Sequence, residues 1–211
     1  MPGSSLWLIP PQSHPLHGTI TSLITSVLPS RFPAEAGGPD GDSPVVFAPH
    51  MTLTSEISPA TYNAQAWLDS LPLPAARDVR VRLLSVDTQD VFFRRCFMRV
   101  EYEGVRDIVA VAREHGVSAA SSGISEGTEE WLKSWKQAFG PHVSLIYGST
   151  PITDDKLSQI CKAVEDAGAV LSASGSTPSS EPGAGWEGGV VWLVPTDRPI
   201  SEWKPIATRT L

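Results

Sequence analysis

A five-residue pattern occurs twice in this chain: Pro49-His50-Met51-Thr52-Leu53 returns as Pro141-His142-Val143-Ser144-Leu145. Both copies lie in β-rich runs, and successive side chains of a strand point to opposite faces. His50 and Thr52 therefore share one face while Met51 and Leu53 take the other, and the second copy repeats the arrangement. Each copy needs a strand with one face in a core and an imidazole and a hydroxyl on its open face. The 19 prolines and 17 glycines in 211 residues argue against a helical bundle as the setting. The 41% hydrophobic content is enough for a packed core.

The remaining segments fit that setting. Residues 6–9 predict a buried strand stopped by Pro10-Pro11, since proline cannot donate to a central ladder. Residues 16–28 place Ile20, Leu23, Ile24, Val27 and Leu28 on one helical face. Residues 33–44 read as a flexible loop, 45–55 as a strand, and Ser58-Pro59 as the cap of a helix reaching about Leu71. Residues 79–86 and 91–102 read as a hairpin turning through Asp87-Thr88-Gln89-Asp90. Helices are predicted over 105–117, 129–139 and 154–167, and strands over 142–149, 190–194 and 203–210. The Ser-, Gly- and Pro-rich segment 172–189 reads as a second flexible loop, with Trp186 as an anchor. The irregular alternation indicates an α+β fold with antiparallel sheets, as a single domain over residues 1–211.

Charge and cysteine usage narrow the partners. A net charge of −7 with no Lys/Arg cluster excludes the counterion-releasing groove that long nucleic acids require. A small substrate, or at most a short nucleic-acid end, is expected, bound by a monomer with no membrane partner. Cys96 and Cys161 read as buried free thiols rather than a disulfide framework. The first residues lack the features of a signal peptide, and no stretch reaches transmembrane length. These features point to the reducing cytoplasm, with an endomembrane association left open.

The paired pattern suits one chemistry in particular. Opening a cyclic phosphodiester requires water to lose a proton and a ribose oxygen to gain one. Two imidazoles can do both, one neutral as base and one protonated as acid, from opposite sides of the phosphorus. The hydroxyls of Thr52 and Ser144 would donate to the non-bridging oxygens as charge gathers there. No metal or other cofactor is required if these four groups converge. The other histidines read as structural: His14 and His17 in a Pro-rich turn, and His115 as a dipole partner at a helix end.

Paired His-x-Thr/Ser motifs are the signature of the 2H phosphoesterase family, and this chain resembles its cyclic nucleotide phosphodiesterase branch, of the fungal type. Similarity to that branch extends to Leu6-Trp7-Leu8-Ile9-Pro10-Pro11-Gln12, to Phe47-Ala48-Pro49, to Phe92-Phe93-Arg94-Arg95-Cys96, to Ile146-Tyr147-Gly148 and to Glu202-Trp203-Lys204-Pro205-Ile206. The resemblance implies a bilobal fold of two antiparallel sheets flanked by helices, with the active cleft between them. It implies hydrolysis of ADP-ribose 1″,2″-cyclic phosphate, a tRNA-splicing by-product, to ADP-ribose 1″-phosphate. It also implies hydrolysis of nucleoside 2′,3′-cyclic phosphates to 2′-phosphates. It assigns His50 and His142 as the acid–base pair, with Thr52 and Ser144 as phosphate donors and Trp7 and Tyr147 lining the site. Strict alternation puts Tyr147 opposite His142, so it reaches the cleft only if the strand ends or bends near Gly148. Arg94, Arg95 and Arg99 are the candidates for a cation near the phosphate, but each reads first as a surface charge, so none is assigned. RNA 3′-end processing or ligation, and a non-catalytic nucleotide-binding module, are the alternatives.

Overall fold

Every strand-forming run joins one antiparallel sheet in the computed structural model, which describes residues 3–38, 43–58, 63–118, 124–172 and 181–211. The strands are β1 (Ser4–Ile9), β2 (Met51–Ile57), β3 (Arg80–Asp87), β4 (Cys96–Val100), β5 (His142–Ile146), β6 (Gly185–Glu187), β7 (Val190–Pro195) and β8 (Ala207–Thr210). Their order across the sheet is β6-β3-β4-β5-β2-β1-β7-β8. The α+β class and antiparallel pairing match expectation, but the two separate sheets do not. The halves β6-β3-β4-β5 and β2-β1-β7-β8 are joined where Met51 pairs with Val143. Joining them covers the edges that β2 and β5 would otherwise leave unpaired. It also sets the two histidine strands side by side at the centre.

The register makes the two faces explicit. Val191, Leu8, Met51, Val143, Met98 and Val86 form one row across neighbouring strands, and every member is apolar and buried. Burying each such side chain contributes roughly 1.5–3 kcal/mol, which fixes the register because a one-residue slip would expose the row. On the other face Trp192 pairs with Trp7, Trp7 with Thr52, and His142 with Arg99.

Helices supply the rest of the core. They are α1 (Pro15–Ser22), α2 (Leu28–Arg31), α3 (Pro33–Ala36), α4 (Ala64–Ser70), α5 (Arg106–Arg113), α6 (Glu126–Ala138) and α7 (Asp154–Asp166). Ile20, Leu23 and Ile24 near the start of the chain, Ile108 and Ala112 of α5, and Ile160 and Val164 of α7 join the apolar row in one cluster. The helix predicted over 16–28 runs from α1 to α2 through a π turn, Leu23–Val27. Pro29 has no N–H to close onto the Thr25 carbonyl, so a regular α ladder could not continue there. His14 caps α1, its Nδ1 accepting from the Leu16 N–H at 3.3 Å, rather than lying free in a loop. His115 falls in a π turn, Glu114–Ser118, that extends α5.

Several boundaries move for local reasons. The ladder of β2 begins at Met51 rather than at Val45, after Pro44 and Pro49, neither of which can donate. The cap of α4 is Asn63, whose side chain accepts from the Ala66 N–H at 3.3 Å; Ser58 stands outside the helix and Pro59 outside the described residues. Part of the strand predicted over 91–102 is a 3-10 turn, Phe92–Arg94, because Gln89 N–H and the Thr88 hydroxyl bond the carbonyls of Arg94 and Arg95. Of the two predicted loops, 39–42 and 173–180 lie outside the described residues. Pro33–Ala36 is helical, and Trp186 is buried within β6. Cys96 and Cys161 are free thiols, the first buried and the second partly so.

Candidate active site

The pairing of Met51 with Val143 carries a consequence for their neighbours. Antiparallel register places Thr52 opposite His142 and His50 opposite Ser144, all four on the face away from the apolar row. The two copies of the sequence pattern thereby become one diagonal constellation, and all four residues line a single cavity of about 380 Å³.

Backbone carbonyls orient both rings in the same way. His50 Nδ1 lies 2.7 Å from the Ala48 carbonyl, and His142 Nδ1 lies 3.1 Å from the Gly140 carbonyl. A carbonyl only accepts, so each Nδ1 carries the hydrogen and each Nε2 presents its lone pair. The indole of Trp7, itself buried, stacks on His50 at 3.8 Å between centroids and 13° between planes. Strand β5 ends at Ile146, so Tyr147 escapes the alternation and its hydroxyl stands 3.4 Å from His50 Nε2. Phe47 stacks on the Tyr147 ring at 3.7 Å, and Phe93 packs edge-on against it. Trp7 and Tyr147 thus both line the cavity.

The two hydroxyls differ. Thr52 is half-buried, and its Oγ1 has no hydrogen-bond partner among the described residues. Ser144 is buried and donates to the Phe93 carbonyl at 3.0 Å, so its hydrogen is already engaged. Donation to a bound oxygen by Ser144 would require that hydroxyl to rotate.

Burial dominates the ionisation of the site. It lowers His50 to about 4, against the Ala48 hydrogen bond, with repulsion from His142 adding to the effect. It lowers His142 to about 4 as well, against the Gly140 bond, and the Arg94 and Arg99 charges push in the same direction. Both imidazoles are therefore neutral at pH 7. Burial also drives the Tyr147 phenol far up, opposed by its hydrogen bond with Ser144, so it remains a neutral hydroxyl.

Arg94 and Arg95 depart from the surface-charge reading, whereas Arg99, with 43% of its side chain exposed, keeps it. Arg94 is only 7% exposed and lines the cavity. Its Nη1 donates to the carbonyls of Ala138 and Phe139 at 3.4 and 3.3 Å, its guanidinium lies 4.2 Å over the Phe139 ring, and its Nε has no partner. No carboxylate pairs with it among the described residues. Arg95, also buried, ties Asp90 to the carbonyls of Gly148 and Ser149, holding the turn beside Tyr147. Arg99 pairs with Asp87. The available signal was the position of Arg94-Arg95 in an otherwise aromatic and apolar run, where a simple surface charge is out of place. The cavity wall formed by Trp131, Trp135 and Phe139 was also missed, because the spacing of α6 reads as an ordinary amphipathic helix.

The whole chain, residues 1–211, matches the family described as cyclic phosphodiesterase-like protein. A Neurospora crassa protein named 2′,3′-cyclic-nucleotide 3′-phosphodiesterase is 52% identical, with 100% of each chain covered. A Phaeosphaeria nodorum protein of the same name is 35% identical, again over 100% of both. A third, from Yarrowia lipolytica, is 26% identical over 98% of this chain and 99% of that protein.

Proposed function

We propose a reaction on the premise that the chain belongs to the cyclic phosphodiesterase-like family: water opens a cyclic phosphodiester held between His50 and His142. The observation that carries this reading is the diagonal constellation, in which two Nε2 lone pairs and two hydroxyls face one cavity from adjacent strands. His142 Nε2 takes a proton from water as its oxygen attacks phosphorus. The bond from phosphorus to the leaving sugar oxygen breaks, and His50 Nε2–H delivers a proton to that oxygen. The substrates are nucleoside 2′,3′-cyclic phosphates, giving 2′-phosphates, and ADP-ribose 1″,2″-cyclic phosphate, giving ADP-ribose 1″-phosphate.

The surroundings support this division of labour. Arg94 and Arg99 disfavour a charged His142, which suits a base. The Trp7 face stacked on His50 favours a charged ring there, which suits an acid. The bound anion supplies the proton affinity that burial and His142 take from His50. Thr52, with a free hydroxyl, is the principal side-chain donor to the non-bridging oxygens, and Arg94 is the cation that compensates their charge. Tyr147 donates to the substrate or to His50 from its neutral hydroxyl.

Hydrolysis of adenosine 2′,3′-cyclic phosphate and ADP-ribose 1″,2″-cyclic phosphate in EDTA, followed by phosphorus NMR, tests this. Formation of the 2′- and 1″-monophosphates is expected. A folded protein that turns over neither substrate refutes the reading.

A further inference from the structure

The cavity extends beyond the histidine pair to a second cluster that the hydrolytic chemistry does not use. Glu56 is the one non-glycine residue with a left-handed φ, 68°, among the described residues. The register explains where that conformation arises. Ser4 pairs with Ile57 and Leu6 with Thr54, so Ser55 and Glu56 together stand opposite Ser5 in a bulge. Glu56 Oε2 accepts from Arg113 Nη1 at 3.2 Å, and the Glu56 side chain remains 58% exposed while that of Arg113 is 16% exposed. The Arg113 guanidinium lies 4.7 Å over the Trp131 ring, which stacks on Trp135 at 5.6 Å and 15°. All four side chains line the same cavity as His50 and His142.

A backbone conformation unfavourable to glutamate costs more than an exposed ion pair returns, so tying α5 to β2 does not account for Glu56. Bulges beside active sites re-aim a side chain. Here the aim is into the cavity, next to a flat aromatic and guanidinium surface. Glu56 and Arg113 neutralise each other, so this end has no net charge with which to attract a second phosphate. It suits a neutral planar ring that stacks and donates N–H groups.

We propose that Glu56, Arg113, Trp131 and Trp135 form a nucleobase subsite with a preference for guanine. This rests on the cyclic-nucleotide reading above. Guanine carries two adjacent donors, N1–H and the N2 amino group, which match the two oxygens of a carboxylate. Adenine and cytosine place an acceptor beside their amino group, and uracil flanks its single N–H with carbonyls. Each would set an acceptor against the Glu56 carboxylate. Trp131 and Arg113 provide stacking for any base.

The test measures binding of the four nucleoside 2′-monophosphates and turnover of the four nucleoside 2′,3′-cyclic phosphates, in wild type, Glu56→Gln and Glu56→Gly. Glycine accepts the left-handed φ, so Glu56→Gly is expected to fold with an unchanged or higher Tm. Wild type is expected to favour guanosine over uridine by about tenfold or more, the scale of charge-assisted hydrogen bonds to a base. In both variants that ratio falls toward one. Equal binding of all four bases by wild type, or an unchanged ranking in both variants, overturns the subsite. Guanine-selective binding that is lost in the variants, without turnover of any cyclic nucleotide, supports the subsite and refutes the hydrolase reading instead.

Discussion

Filling the cavity with an anion should reverse the ionisation of His50. In the free protein burial and His142 hold it at about 4, so His50 needs a bound anion to serve as an acid at neutral pH. A single negative charge about 4 Å away, at an effective dielectric of ~20, favours the imidazolium by about 4 kcal/mol. That is about a thousandfold in the protonation equilibrium, enough to carry His50 into the neutral range. Once His50 is charged, its repulsion of a second imidazolium keeps His142 neutral. The assay is imidazole titration by nitrogen-15 NMR, with the protein free and saturated with adenosine 2′-monophosphate. Free protein should show both site histidines neutral down to about pH 5, and the complex should show His50 charging near neutrality. Linkage gives an independent reading. A group whose affinity for protons rises on binding makes the ligand bind more tightly as pH falls, by up to about tenfold per pH unit between the two pKa values. Two histidines that titrate near 6.5 in the free protein, or a His50 unmoved by the ligand, would refute the reasoning.

Further outcomes follow from the same geometry. Thr52→Val keeps the shape but removes a free donor and should cost on the order of 10²-fold in kcat. Ser144→Ala should cost less, because the Ser144 hydrogen is spent on the Phe93 carbonyl; steady-state kinetics separates the two. Arg94→Met should raise KM for the anionic substrate about tenfold or more, and it should lift the His142 pKa in the same NMR titration. Both histidines bind protons less readily folded than unfolded, so stability should be full above about pH 6.5 and fall as pH drops toward 4, by several kcal/mol across that window. Urea denaturation at pH 7 and pH 4.5 measures it. Met51→Ala, at the seam of the sheet, should destabilise the protein by roughly 2–5 kcal/mol in urea at pH 7.

What could be read from the sequence was whatever depends on short-range periodicity. The alternation in Pro49–Leu53 and Pro141–Leu145 fixed which residues face the cavity, since it follows from strand geometry alone. The same rule, applied to Tyr147, identified the condition for its reaching the cleft, and the end of β5 at Ile146 meets it. Long-range pairing is not written in such periods. Nothing local to Met51 or Val143 says that their strands are neighbours, so two sheets were expected where one is found. The burial of Arg94 is hidden from the sequence for a related reason. Its burial depends on the carbonyls at the end of α6, forty-odd residues away, rather than on its own neighbours. The left-handed Glu56 gave no warning either, since glutamate rarely marks a bulge.

The central claim is that His142 and His50 act as base and acid on one phosphorus. Single-turnover hydrolysis of adenosine 2′,3′-cyclic phosphate by His50→Ala and His142→Ala tests it most directly, with circular dichroism confirming that both variants fold. Each is expected to lose at least about 10²–10⁴-fold in rate, the range of general acid–base catalysis. A rate within a few-fold of wild type in either folded variant would contradict the account.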